Sequence, residues 1–194
     1  MRDGRPTKEK IRQAALLLFV DRGVDAVSLR DIAEAVGIRP STIYVHWKSR
    51  EALVSALFTE GYAAYGGRIA DAMAGQASFP GKLEAAIRLV CRLESEDATL
   101  FKFLLLTQHG GLHAVADGDA NPIDLLARMV RDAVAAGTVT GWDPDLLTAV
   151  IVGAVVQAAT FRLYGRIGRS LAQMADEIVA LCLAIATSRH PAQA

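Results

Sequence analysis

Three helix boundaries fall between Ser28 and Arg50, and their closeness limits what this chain can fold into. Ser28 with Asp31 three residues on fits a capping box, so a helix starts there. Leu29, Ile32, Ala33 and Val36 recur at helical spacing and give that helix one apolar face. Gly37 supplies a turn, because glycine enters the left-handed region at little cost. Pro40 suits the first turn of a second helix, where the N–H it lacks would be unpaired anyway. In that second helix Ile43 and Trp47 lie four apart and pack inward, and Ser49 caps a third. The segment of about residues 28–47 therefore reads as a helix-turn-helix, whose second helix suits the width of the DNA major groove.

The outward residues are of the types that touch DNA. Arg39 offers a guanidinium fork to guanine, and Val45 offers an apolar surface to a thymine methyl. Ser41 and Thr42 sit beside them. Tyr44, His46 and Lys48 are donors suited to phosphate oxygens, contacts that fix register rather than sequence. A helical hairpin with no nucleic-acid role would share the same geometry, so shape alone leaves both readings open.

From about Arg5 to Leu57 the chain resembles the N-terminal domain of TetR-family transcriptional regulators. The resemblance is carried by Gly4-Arg5-Pro6, Ile11-Arg12-Gln13-Ala14-Ala15-Leu16-Leu17-Leu18-Phe19 and Arg22-Gly23. It continues through Ser28-Leu29-Arg30-Asp31-Ile32-Ala33, Gly37-Ile38, Thr42-Ile43-Tyr44-Val45-His46-Trp47 and Lys48-Ser49-Arg50-Glu51-Ala52-Leu53. The family often has Leu at the place of Ile43 and Phe at that of Trp47, and both replacements keep an apolar side chain. The pair at Pro40-Ser41 varies in such proteins, so no operator sequence is inherited.

The resemblance implies that Tyr44, His46 and Lys48 contact phosphates, and that Arg39, Ser41, Thr42 and Val45 lie nearest the base edges. It also makes Ser28 and Arg30, at the start of the second helix, candidates for DNA contact. Arg2, Arg5 and Lys8 would form a basic arm reaching along the backbone or into the minor groove.

Charge does not announce a DNA binder. Lys and Arg number 21, Asp and Glu 21, for a net charge of zero. Residues 1–60 hold 10 basic and 8 acidic residues, and residues 61–194 hold 11 and 13. Attraction to DNA must then be local, with weak non-specific binding and strong dependence on fit and salt. Cys91 and Cys182 stand alone in apolar helical stretches, which points away from a disulfide framework and toward a reducing cytoplasm. No signal peptide is visible. The longest uncharged apolar run, Leu146 to Phe161, is 16 residues and contains Thr148, Gln157 and Thr160. A spanning helix needs about 20, so the run reads as a buried helix and no membrane partner is expected.

The whole chain reads as all-α, about nine helices with no strand pattern and no internal repeat. The expected helices run from about Thr7 to Asp21, through the helix-turn-helix, and from Ser49 to Gly66 or Met73. They continue at about 82–94, from Asp97 to about Leu106, 121–136, 143–164 and 170–188, with polar loops at 75–80, 116–121 and 137–142. The resemblance implies the same layout: three helices in a DNA-binding head, a fourth as connector, and five in a regulatory body. The domains expected are residues 5–64 and 65–194.

The last two long helices are apolar on more than one face, and a helix apolar all round is buried all round. A second copy is the expected cover, through Val150, Ala154, Ala158, Leu171, Met174, Ile178 and Leu181. A homodimer suits a two-fold-related DNA site. An effector pocket is expected among the fourth to eighth helices, with candidate walls Phe58, Tyr62, Tyr65, Leu93, Phe101, Leu104, Gln108, His109, Met129, Gln157 and Phe161. Leu89, Leu105 and Tyr164 join them as apolar candidates, and Glu94, Thr160 and Arg162 as polar groups whose burial would need a partner. His109 and His113, four apart, have metal-binding spacing, but Gly110 and Gly111 lie between them and no third ligand is evident. No metal and no cofactor is expected.

These readings converge on a cytoplasmic, ligand-responsive regulator, a repressor that a small, largely apolar effector releases from a palindromic operator. An activator or a co-ligand-dependent regulator of the same fold would have the same sequence features. A small helical metal enzyme built on His109 and His113 is a remote alternative, since no nucleophile–base pair and no glycine-rich phosphate loop is found.

Overall fold

The computed structural model describes residues 5–111 and 121–188, with the side chains of Arg5 and Pro6 outside that description. Among the described residues there are nine α-helices and no strand: α1 (Arg5–Arg22), α2 (Leu29–Val36), α3 (Pro40–Tyr44), α4 (Arg50–Ala74), α5 (Phe79–Glu96), α6 (Ala98–Gly111), α7 (Pro122–Ala135), α8 (Pro144–Leu163) and α9 (Leu171–Thr187).

Local chemistry sets most of these boundaries. Ser28 and Asp31 form the expected capping box, and Gly37 closes α2 at φ +72°, where its N–H bonds back to the helix. Ser170 and Gln173 form a second capping box at α9. Asn121 and Asp143 cap α7 and α8, each followed by a proline at the first helical position. The hydroxyl of Ser49 accepts from the backbone N–H of Ala52 at 3.1 Å and starts α4. That helix then runs unbroken through Gly61, Gly66 and Gly67. The second helix of the helix-turn-helix is shorter than the spacing of Ile43 and Trp47 suggests. It ends at Tyr44, and the N–H groups of His46 and Trp47 both turn back to the carbonyl of Ile43.

The chain divides into two compact units, the first made of residues up to Gly61 together with Thr99–Val115, the second of the remainder. The first unit therefore includes nearly all of α6, which the boundary expected at residue 64 assigns to the second domain. The reason is aromatic packing that periodicity does not show. Phe103 stacks on Phe19 of α1 with ring centroids 6.0 Å apart. Leu100 lies so close to Gly61 that a methyl there would sit 2.7 Å from it. Ile11, Phe19, Ile32, Ile43, Leu53, Leu57, Phe58 and Phe103 are almost wholly buried in this unit. Each stabilises by about 1.5–3 kcal/mol against exposure.

In the second unit α5 packs along α9, α7 packs on α8, and α8 also meets α9. Leu83, Leu93, Val130, Leu147, Ile151, Leu171 and Cys182 are among its most buried apolar residues. Cys91 and Cys182 are free thiols inside it, and burial pushes Cys91 up to about 11. Helix α8 is long and apolar enough to cross a membrane, with 20 residues and a window of mean hydropathy 1.8. Within the chain its burial is one-sided. Leu147, Thr148, Ile151, Val155 and Ala159 face the core, whereas Leu146, Val150 and Phe161 are exposed.

Candidate nucleic-acid interface and ligand cavity

The head sorts its basic residues into two groups. Arg12 pairs with Glu60 and Glu9, Arg22 with Asp21, and Arg50 with Asp25 and Glu51. Arg50 also donates to the carbonyls of Val24 at 3.3 Å and Asp25 at 3.0 Å, tying the loop after α1 to the start of α4. Arg12 and Arg50 thereby tie distant segments of the head together, whereas the Arg22 pair is local and exposed. Arg30, Arg39 and Lys48 are exposed and have no hydrogen-bond or ion-pair partner among the described residues. Neutral overall charge therefore coexists with three free cations on the helix-turn-helix.

The same sorting holds for the uncharged residues. Ile43 is fully buried and Trp47 is 6% exposed, so this edge of the segment is locked inward. Tyr44 and Val45 are 55% and 78% exposed, and Ser41 faces solvent with Arg39. Thr42 and His46 are half-buried, with the His46 ring 5.5 Å from that of Trp47. A concavity brings Ser28, Arg30, Tyr44, Lys48 and Ser49 together from the ends of α2, α3 and α4. Arg50 and the carboxylate of Asp25 line it too, and these two pair with each other, whereas Arg30 and Lys48 have no partner among the described residues and suit phosphate oxygens.

Two expectations change. The Ser28 hydroxyl is engaged with Asp31, donating at 2.6 Å and accepting the Asp31 N–H at 3.3 Å, so this residue is a cap rather than a free donor. Those bonds, side chain first and then the Ser28 N–H, hold the Asp31 carboxyl below the usual carboxylate range. Lys8 lies within α1 and places its ammonium 5.6 Å from the Trp47 ring, so it belongs to the packed head and not to an arm. Arg2, the Arg5 side chain and His113 lie outside the described residues.

A second site lies in the body unit. A cavity of about 170 Å³ is lined by α4 (Tyr62, Tyr65, Ile69, Met73), α5 (Leu83, Ala86, Ile87, Val90), the start of α7 (Pro122, Ile123, Leu126) and α8 (Ile151, Val152, Val155, Val156). Of the expected walls it takes Tyr62 and Tyr65 alone. Leu93 and Met129 are buried but do not line it. Phe58, Phe101, Leu104, Gln108 and His109 fall in the head unit, where Phe58 and Leu104 are buried and His109 is exposed. Gln157 and Phe161 face outward on α8. The residues that sequence reasoning missed are aliphatic, and aliphatic residues at helical spacing look the same whether they fill a core or line a cavity.

Three of the expected polar residues, Glu94, Arg162 and Thr160, are paired within the chain. Glu94 pairs with Arg162, whose guanidinium also reaches the carbonyls of Gly168 at 3.4 Å and Arg169 at 3.2 Å. The Thr160 hydroxyl donates to the carbonyl of Val156 at 2.8 Å.

The residues expected to meet a second copy divide by their burial within the chain. Leu171, Met174 and Ile178 are buried within the chain, because that side of α9 packs against α5. Val150, at 39%, and Leu181, at 63%, remain exposed, and Ala154 and Ala158 are half-buried.

Residues 11–57 match the profile of the bacterial regulatory proteins of the tetR family. The HTH-type transcriptional repressor KstR2 of Mycolicibacterium smegmatis is 36% identical over 53 residues, 27% of this chain and 26% of that protein. The tetracycline repressor protein class D of Escherichia coli is 38% identical over 56 residues, 29% and 26% of the two chains. The chain thus spans about a quarter of the length of these relatives in alignment. Across nearly the whole chain the fold is that of the transcriptional regulator FadR from Bacillus subtilis, solved in complex with stearoyl-CoA. The TM-score is 0.77 at 18% identity, covering 94% of this chain and 100% of that one. Residues 11–57 therefore carry the helix-turn-helix sequence of the tetR family of bacterial regulatory proteins, on a chain whose helical architecture is similar to that of FadR.

Proposed function

We propose that the protein is a ligand-responsive DNA-binding regulator, a homodimeric repressor that leaves a two-fold-symmetric operator when a small, largely apolar molecule enters the body. The carrying observation is the split of the helix-turn-helix into a buried edge, Ile43 and Trp47, and an exposed edge with free cations at Arg30, Arg39 and Lys48. In this reading Arg39, Ser41 and Val45 meet base edges, with Thr42 beside them. Arg30, Tyr44, His46 and Lys48 hold phosphates.

The dimer face in this reading is the exposed stripe of α8, Leu146, Val150, Gly153, Gln157 and Phe161, with Leu181 of α9. Those α8 positions recur at helical spacing on one side, and a stripe of that width is suited to a second copy of itself. Helix α4 contributes residues to both units and would carry the ligand signal. The remaining expectations, cytoplasmic location and freedom from membranes, follow from this role.

Selection from random duplex DNA with the purified chain, followed by affinity measurements at two salt concentrations, tests the reading. A two-fold-symmetric site whose affinity falls steeply with salt is the expected result. Failure to enrich any site would overturn it.

A further inference from the structure

Two hydrogen-bond donors without acceptors meet at the Trp47 ring. Lys8, in the first turn of α1, places its ammonium 5.6 Å from the ring centroid. That distance is within cation–π range, and the contact uses the ring while leaving the three ammonium N–H groups free to donate. Lys8 is half-buried and has no acidic partner among the described residues. Its neighbour Glu9 is turned instead to Arg12 and Gln13.

The second donor is the indole N–H itself. Trp47 is 6% exposed, and its N–H has no acceptor among the described residues. A packed tryptophan usually finds its N–H a partner. Among those residues one buried side-chain oxygen or nitrogen lacks a partner, and it is the Tyr65 hydroxyl. The Trp47 nitrogen is therefore not sealed, and the small exposed part of the residue includes it. In the chain Trp47 stands between His46 and Lys48, and its ring lies 5.5 Å from that of His46. The two donors thus sit at the end of the helix-turn-helix whose side chains suit phosphate oxygens. An ammonium supplies charge there, and a rigid indole N–H supplies direction.

We propose that Lys8 and the Trp47 indole N–H together bind one phosphate of the DNA backbone in each half-site, with the indole ring positioning the ammonium. The proposal rests on the reading of the helix-turn-helix as the DNA-binding face, and it extends that face to the start of α1. Phosphate contacts fix register and carry no base preference, so the pair adds affinity and not sequence choice.

A methylphosphonate scan of the enriched DNA site, with the full chain, tests it, because each replacement removes one backbone charge. Wild-type protein should lose about tenfold in affinity at one position of each half-site. Lys8→Met and Trp47→Phe should no longer sense that position. Lys8→Met should weaken all sequences alike and lower the salt slope by about 1 for each head. Trp47→Phe removes the N–H but keeps a ring under the ammonium, so it should weaken all sequences alike at unchanged slope. The two substitutions together should cost less than the product of their separate effects, since both act on one phosphate. Thermal unfolding of each variant confirms a folded chain. A methylphosphonate profile that stays as in wild type in both variants, or unchanged affinity and slope in Lys8→Met, would overturn the proposal and leave the regulator reading standing. A chain that enriches no DNA site would overturn both.

Discussion

Arg162, at the end of α8, forms an ion pair with Glu94 of α5, and the other oxygen of that carboxylate accepts the backbone N–H of Leu171 at 3.1 Å. One side chain thereby joins three helices of the body and satisfies the first turn of α9, one of the places where a helix leaves N–H groups unpaired. Glu94→Gln keeps the shape and removes the charge. With the Glu94 side chain 15% exposed and that of Arg162 33% exposed, the expected loss is about 1–3 kcal/mol. Urea unfolding would read it as a lower midpoint at unchanged slope. An unchanged midpoint would mean the pair contributes nothing net.

The two arginine and lysine classes of the head give opposite outcomes on DNA. Arg39→Ala should cost about 1–3 kcal/mol on the best site and relax base preference at one position of each half-site. Lys48→Ala should weaken all sequences alike and lower the salt slope by about 1 for each head. Tyr44→Phe should weaken all sequences alike without changing that slope. Arg50→Ala, by contrast, should lower thermal stability, since it removes the bonds to Val24 and Asp25. Affinity across a set of mutated sites and several salt concentrations separates the four.

Self-association should depend on exposed residues of α8 and α9 and not on buried ones. Val150→Glu or Leu181→Glu is expected to yield a folded monomer by sedimentation. Ile178→Glu should instead unfold the body, because it buries an unpaired carboxylate, a change that costs several kcal/mol. A dimer that survives both exposed-site substitutions would place the interface elsewhere.

Two adjacent glycines of α6 should respond in opposite directions. A methyl group at Gly111 would lie 2.5 Å from the Phe58 ring, whereas one at Gly110 meets nothing within 4 Å. Gly111→Ala is expected to destabilise by about 1–3 kcal/mol through overpacking. Gly110→Ala should stabilise by up to about 1 kcal/mol, by helix propensity alone. Paired thermal melts decide the matter.

The Asp31 carboxyl, lowered from 3.8 by its bonds from Ser28, predicts a pH dependence with a definite sign. A depressed folded value means that its stabilisation is present above the unfolded value and is lost as pH falls through the folded one. The gap in melting temperature between wild type and Asp31→Asn should therefore be full at neutral pH and close on acidification below 3.8. A gap that persists at low pH would assign the effect to packing.

What the sequence determined by itself was local. The capping boxes at Ser28 and Ser170, the left-handed Gly37 and the prolines opening α3, α7 and α8 each act within a few residues, so they are legible without any neighbour. The exposed and buried edges of the helix-turn-helix followed from spacing, since a short helix with few apolar residues has one way to bury them. Tertiary structure alone decided the rest. Helix α8 carries apolar residues nearly all round, so its composition cannot say that Ile151 faces the core and Phe161 faces out. Helix α6 joined the head because Phe103 met Phe19, a contact between residues far apart in the chain. Leu171, Met174 and Ile178 turned inward because α5 was there to receive them. A period fixes which residues share a face. Only the neighbouring helix fixes which face is covered, and that neighbour is brought by the whole chain.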